Sequence, residues 1–378
     1  MADAEPGVTA GAATAAEAVP IDALSVAVYT VPTDQPESDG TLEWTATTLV
    51  LVEIRGGGRS GLGYSYADTA TATLIQDLLA PLLAGRDALA IPARWEDMRH
   101  AIRNLGRPGI ASMAIAAVDV ALWDLKAKCL GMPLLSLLGA ARQAVPVYGS
   151  GGFTSYTDAQ LETQLGAWAQ AGIRDVKMKI GREPGRDTRR VRAARRAIGP
   201  DTGLFVDANG ACSRKQALAL AGPLSESGVS WFEEPVSSDD LEGLRLMRDH
   251  APPAIEIAAG EYGYDLGYFR RMLDAGAVDV LQADATRCAG ITGFMGAAAL
   301  CEAHGLPLSA HCAPSIHAHP GCAAARVRHI EFFHDHVRIE RLLFDGALAP
   351  VRGALHPDLT RPGLGLELKR ADARRYAR

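Results

Sequence analysis

The chain is defined first by what it lacks. Across its 378 residues no apolar run approaches the roughly 20 needed to cross a bilayer. There is no GxGxxG or GKS/T turn of the kind that cradles phosphates. The six cysteines, Cys129, Cys212, Cys288, Cys301, Cys312 and Cys322, form no CxxC pair and no zinc-like spacing. Most sit in apolar surroundings, which reads as buried free thiols and a reducing, cytoplasmic compartment. Basic residues are not in excess, and the formal net charge of −6 argues against nucleic acid or an anionic membrane as a partner. Residues 1–20 are Ala-rich and carry acid without a basic n-region, so they do not read as a secretory signal. They are expected to be a disordered tail that adds nothing to the fold.

What is present divides in two. Over 21–145, strand-like ALSVAVYTVP and WTATTLVLVEIR precede helical stretches, the longest being ASMAIAAVDVALWDLKAKCLG. Strands followed by helices imply a separate α+β domain. The polar stretch Thr33 to Thr41 reads as an exposed loop. From about residue 146 to 350 short strand candidates alternate with helices, from PVYGSGG through HIEFF. That rhythm predicts a closed parallel α/β barrel, with 351–378 packing back on the first domain.

Three acids recur at even intervals in the barrel region: Asp207 in LFVDANG, Glu233 in WFEEP and Glu261 in IAAGE, 26 and 28 residues apart. Each ends a short apolar run, and each interval fits one strand, one helix and two loops. Neighbouring parallel strands would bring the three carboxylates to one end of a barrel. Three oxygen anions there call for a hard divalent cation, Mg²⁺. Other polar groups fall at equivalent positions. Lys177 and Lys179 share one face by alternation. Asp284, His311 and Glu331 end or lie within the last three strands.

Taken singly, each motif has a bland reading: a KxK as a solvated strand edge, DxNG as a turn, a lone His as a structural hydrogen-bonding group. The ordered set is more specific. KMKIG (177–181), VDANG (206–210), WFEEP (231–235), AGE (259–261), QADATRCAGITG (282–293), SAH (309–311) and IE (330–331) together resemble the mandelate racemase subgroup of the enolase superfamily. The preceding domain is similar to that family's capping domain. The resemblance implies a modified TIM barrel of (β/α)7β type. Its cap would be an N-terminal α+β domain completed by the C-terminal segment. It further implies one Mg²⁺ per active site on Asp207, Glu233 and Glu261. Lys179 would be a base on one face of the substrate, and Lys177 would support it by charge or contact the substrate carboxylate. His311, paired with Asp284, would act on the other face, and Glu331 would donate a hydrogen bond to the intermediate. Relatives form symmetric oligomers, so a homo-oligomer is expected.

A proton α to a carboxylate is weakly acidic, and removing it leaves an enediolate whose charge a metal stabilises. A lysine base must be neutral, and a neighbouring Lys177 and a metal are expected to lower the pKa of Lys179. The loop VPTDQPESDGTLEW is polar, which suits hydroxyls better than an aromatic ring. The expected reaction is therefore dehydration of an acid sugar to a 2-keto-3-deoxy acid. Racemisation or epimerisation of a 2-hydroxy acid with the same residues is one rival. A non-catalytic barrel that binds metal and sugar acid is the other. His317 and His319, in APSIHAHP, are candidates for a substrate contact. Arg287 is a candidate replacement for a cation that many relatives carry. Alternation is expected to turn Cys312 away from His311, and no catalytic thiol is expected at Cys288 or Cys312.

Overall fold

A computed structural model describes residues 18–378. Its first sheet is antiparallel, with β1 (Ala23–Ser38), β2 (Glu43–Gly56) and β3 (Arg59–Tyr66) side by side in chain order. The central strand is buried on both faces, with Val50, Val52 and Ile54 on one and Leu49 and Leu51 on the other. The apolar helix Ile110–Cys129 lies directly on β3. Two glycines permit that approach. A Cβ at Gly61 would stand 2.2 Å from the Ala121 carbonyl, and one at Gly63 2.3 Å from that of Ala117.

Two buried aspartates on this helix tie the parts of the chain together. Asp119 accepts from Thr292 N (2.9 Å) and Thr292 Oγ1 (2.7 Å), which anchors the cap to a barrel helix. Asp124 accepts from Leu62 N and Leu364 N, both at 2.7 Å, and from Lys128 Nζ at 2.6 Å. The C-terminal segment also reaches the first sheet through Arg378 N to Val28 O (3.0 Å) and Arg370 to Glu53 (2.6 Å). Of the expected tail, residues 1–17 lie outside the described residues. Val19 N donates to Asp87 Oδ1 at 3.0 Å, and Pro20 bridges Asp87.

Eight parallel strands follow: β4 (Val145–Gly151), β5 (Asp175–Lys179), β6 (Gly203–Asp207), β7 (Val229–Glu233), β8 (Glu256–Ala259), β9 (Val280–Ala283), β10 (Leu308–Ala310) and β11 (Val327–Phe333). Each pairs with the next, and β11 pairs with β4 to close the barrel. A helix follows every strand, the last being His334–Leu343. This is the expected α/β barrel with its antiparallel cap. Among the described residues no helix is long and apolar enough to cross a membrane.

The two-residue strand period organises the interior in layers. Tyr148, Phe205, Trp231 and His329 pack together as a plug, Phe205 and Trp231 stacking at 5.1 Å between centroids. Two residues further along the same strands stand Ser150, Asp207, Glu233 and Glu331. An aromatic floor therefore lies one layer beneath an ionic one.

The stretch Thr33 to Thr41 differs from the exposed loop expected of it. β1 continues to Ser38, with an irregular register between Pro32 and Glu37, and Glu37, Ser38 and Asp39 are buried. The physical reason is docking. Thr154 N donates to Ser38 O at 2.8 Å, Ser155 Oγ donates to Pro36 O at 2.7 Å, and the tip at Gly40 rests on the barrel. A Cβ on Gly40 would meet the carbonyl oxygens of Ala208 at 2.4 Å and Ile180 at 2.8 Å. Polar composition marked the segment as surface, but the side chains of Asp34, Gln35 and Ser38 bond barrel residues His334, Gln160 and Thr154.

Candidate active site

The C-terminal strand ends face a cavity of about 410 Å³ beneath the cap hairpin. The structure brings Asp207, Glu233 and Glu261 together, with one carboxylate oxygen of each within 4.8 Å of the others, and of the three Glu261 lines the cavity. Asp207 and Glu233 are the last residues of β6 and β7, and Glu261 lies two residues beyond β8. All three are buried, and Glu261 Oε2 has no hydrogen-bond partner among the described residues. An all-oxygen set of three buried acids, one with an oxygen left unsatisfied, fits a hard divalent cation.

The lysines meet these acids unequally. Lys177 is wholly buried beneath the cavity. Its Nζ lies 2.7 Å from both oxygens of Glu233, 2.8 Å from Glu331 Oε1 and 3.5 Å from Asp207. It does not line the cavity, so its contacts are with the acids. Lys179 lines the cavity, its Nζ 2.5 Å from Asp207 Oδ2. Burial and Lys177 pull the Lys179 ammonium down, yet Asp207 and Glu261 outweigh them and its pKa lies above the ordinary value. The expected fall counted Lys177 and a metal as the neighbouring charges; among the protein's own groups Asp207, 2.5 Å away, decides the direction.

On the opposite wall His311 Nδ1 lies 2.8 Å from Asp284 Oδ2. Asp284 Oδ1 accepts from Thr286 N (2.7 Å) and Thr286 Oγ1 (2.8 Å). Burial alone would raise the Asp284 carboxyl, but its bond to His311, with His317 and Arg287 nearby, holds it well below the usual range. An ionised carboxylate can only accept, so Nδ1 carries the proton. That leaves Nε2 on the far edge of the ring, 3.3 Å from Glu261 Oε2.

Glu331 accepts from Ser150 Oγ at 2.6 Å and Cys312 N at 3.1 Å. Burial would raise it, but Lys177 and His311 hold it well below the ordinary carboxyl range. In both of these bonds it is the acceptor. Arg287 Nη1 lies 3.3 Å from Glu261 Oε1, a cation directly against the acid cluster.

Several groups differ from expectation. Cys312 faces the cavity, its Sγ 3.3 Å from His311 Nε2 and 3.4 Å from Glu331 Oε2. Alternation failed because β10 stops at Ala310 and Cys312 takes a left-handed backbone, φ 52°. His317 and His319 belong to a helix, Pro314–Ala323, and neither lines the cavity. His317 Nε2 instead accepts from Ala285 N at 2.8 Å while Nδ1 contacts Cys312 O at 2.7 Å. Asn209, which the sequence motifs do not single out, also lines the cavity. Asp207 Oδ1 accepts its N–H at 2.8 Å, its φ is 46°, and its Oδ1 is buried at the cavity wall without a hydrogen-bond partner among the described residues. The signal was in DxN, since the aspartate's bond two residues on is what turns the asparagine inward. From the cap come Asp39, Trp44, Thr47 and Tyr66.

Residues 24–139 match the mandelate racemase / muconate lactonizing enzyme N-terminal domain, and 160–373 match the enolase C-terminal domain-like family. The chain belongs to the enolase superfamily, in its mandelate racemase subgroup. It is 56% identical to a mandelate racemase/muconate lactonizing enzyme-like protein from Rubrobacter xylanophilus, with a TM-score of 0.93 over 95% of this chain and 100% of that one. It is 35% identical, over 76% of its own length and 80% of the relative's, to 3,6-anhydro-alpha-L-galactonate cycloisomerase of Streptomyces coelicolor. It is also similar to L-talarate/galactarate dehydratase from Salmonella typhimurium, solved with Mg and L-lyxarohydroxamate. There the identity is 29% and the TM-score 0.87, over 100% of this chain and 98% of that one.

Proposed function

We propose that this chain is a Mg²⁺-dependent lyase that takes the α-proton of a sugar-acid carboxylate and expels the β-hydroxyl, giving a 2-keto-3-deoxy acid. The observation that carries the reading is the pairing of two proton-handling groups, Lys179 and His311, on one cavity with three convergent acids. In this reading Asp207, Glu233 and Glu261 hold one Mg²⁺. When bound, the ion supplies Lewis-acid neutralisation of the charge that develops on the substrate carboxylate.

The protein's own groups do the rest. Lys177 fixes Glu233 and Glu331 through its bonds at 2.7 and 2.8 Å. Lys179 becomes a base once Asp207 is committed elsewhere and its Nζ gives up a proton. His311 presents Nε2 to the cavity while Asp284 holds Nδ1. If His311 takes the Cα proton at Nε2, it passes that same proton to the departing hydroxyl; if Lys179 takes it, His311 must enter the step protonated at Nε2 to give the hydroxyl its proton. The C–H and C–O bonds break, water leaves, and the enol tautomerises to the keto acid. Glu331 can donate to the enediolate only after taking up a proton. Asn209 Oδ1 and the cap residues Asp39 and Thr47 offer polar contacts to hydroxyls.

A second reading shares this geometry. A proton-handling group on each wall equally serves racemisation or epimerisation, in which deuterium enters Cα without loss of water. A library of mono- and diacid sugars with Mg²⁺, assayed for keto acid and for deuterium exchange, separates the two. Lys179→Ala and His311→Asn should abolish keto-acid formation. If both variants turned over sugar acids as the parent does, the assignment of Lys179 and His311 would fall; a parent that binds sugar acids with Mg²⁺ but turns over none would be a binding protein. The same reading has the enzyme acting in the cytoplasm as a homo-oligomer, and light scattering on the purified protein tests the assembly.

A further inference from the structure

Beside the all-oxygen cluster, the same cavity holds a second set of possible ligands of a different chemical character. His311 Nε2, Cys312 Sγ and Glu331 Oε2 stand at the corners of a small triangle. Its edges are 3.3 Å for Nε2 to Sγ, 3.4 Å for Sγ to Oε2 and 3.6 Å for Nε2 to Oε2. A tetrahedral Zn²⁺ with ordinary bond lengths to nitrogen, sulfur and oxygen sets its ligands about 3.3–3.6 Å apart. The triangle is therefore already the size of one face of a zinc tetrahedron.

Two further features support a ligand role. His311 donates Nδ1–H to Asp284 at 2.8 Å, the carboxylate–histidine arrangement that orients metal-bound imidazoles. Glu331 Oε1 is occupied by Ser150 and Lys177, so Oε2 is the oxygen turned to the thiol. All three residues line the cavity, which leaves its interior as the fourth corner. Backbone φ values of 52° at Cys312 and 37° at Ala313 turn the thiol inward.

We propose that His311, Cys312 and Glu331 form a second cation site, selective for thiophilic divalent ions of the Zn²⁺ class, whose occupation silences the enzyme. Mg²⁺ prefers oxygen and dehydrates reluctantly, so it stays with the three acids. Zn²⁺ takes nitrogen and sulfur readily. As the metal–sulfur bond forms, the thiol proton leaves to solvent. The ion occupies Nε2, the atom through which His311 handles protons. Glu261 Oε2, 3.3 Å from Nε2, stands between the two sites. The site goes beyond the reaction assigned above, and its spectroscopic test needs no substrate.

The test uses the full chain loaded with Mg²⁺ and titrated with Co²⁺ as a spectroscopic stand-in for Zn²⁺. A thiolate-to-cobalt charge-transfer band is expected to rise to one equivalent and to vanish in Cys312→Ser. Mg²⁺-dependent thermal stabilisation of that variant reports that it is folded. Independently, Zn²⁺ should slow alkylation of Cys312, mapped by peptide mass spectrometry, by roughly tenfold or more, while Mg²⁺ does not. A band that persists in Cys312→Ser, no band in the parent, or a Cys312 alkylated equally fast with Zn²⁺ present would each overturn the proposal.

Discussion

Replacing Asp284 by Asn tests how His311 is set for proton transfer. The side chain keeps its shape, and the structure dictates which way the amide must point. Two donors, Thr286 N at 2.7 Å and Thr286 Oγ1 at 2.8 Å, address Oδ1. The amide oxygen must therefore take that position, which puts the NH₂ group 2.8 Å from His311 Nδ1. Two N–H groups cannot share that gap. Leaving a buried donor unsatisfied costs about 1–3 kcal/mol, a bias of about fivefold to 150-fold. His311 should move its proton from Nδ1 to Nε2 and lose the lone pair that faces the cavity. It also loses the anion that stabilises its charged form. An Asp→Asn change behind a catalytic histidine lowers turnover about 10⁴-fold in serine proteases, and a fall on the order of 10³–10⁴ is expected here. Nitrogen NMR of histidine-labelled protein reads the tautomer directly, and keto-acid production reads turnover. A variant whose Nδ1 is still protonated, with turnover within about tenfold of the parent, would refute the reasoning.

Three other outcomes follow from the same geometry. Saturating Mg²⁺ at a hundred times its dissociation constant should stabilise the protein by about 2.7 kcal/mol, seen as a melting shift that EDTA reverses and that Asp207→Asn or Glu261→Gln largely removes. In metal-free protein Lys177→Met strips Glu233 and Glu331 of a buried ammonium, and urea unfolding should show a loss of about 3–5 kcal/mol; a loss below about 1 would mean the acids had simply taken up protons. Glu37 is raised to about 9 by burial and by Asp335, with Trp44 donating to it at 2.9 Å. The folded state therefore holds the proton more tightly than the unfolded chain. That stability is present at low pH and is lost as pH rises toward about 9, by at most about 1.4 kcal/mol per pH unit. Asp119 and Glu340, both raised to about 7 by burial, slope the same way, so the comparison must be with Glu37→Gln. That variant should be the less pH-sensitive in urea melts between about pH 6 and 9; equal slopes would place Glu37's titration outside the folded cap.

The barrel was legible because its signal is repeated. Eight apolar runs with polar ends leave little freedom, and the inward period within each run places Lys177 with Lys179 and sends Asp207, Glu233 and Glu261 toward one mouth. Legibility ended where strands end. Cys312 lies two residues past β10, where alternation no longer describes the chain. Asn209 and Glu234, with φ of 46° and 37°, likewise sit on turns whose handedness depends on tertiary bonds. The segment Thr33 to Thr41 was misread because composition reports polarity, not the partner that satisfies it. The charge states were hidden for a related reason. Lys179 is flanked by Lys177 and Glu261, 84 residues apart in sequence, and Glu331 by Lys177 and His311, more than a hundred apart, and only the closed barrel sets those distances.

The seat of Gly40 has a consequence for how such an enzyme changes its diet. The hairpin that roofs the cavity is pinned at its tip against two backbone carbonyls, one of them belonging to the residue after Asp207. Backbone is indifferent to side-chain substitution, so the pin survives while the neighbouring positions drift. Trp44, edge-on to Phe153, and Thr47, bonded to Asp335, are side-chain moorings of that roof, so exchanging either loosens one tie while the backbone pin at the tip stays. A fold built this way keeps one proton-transfer engine and refits its doorway.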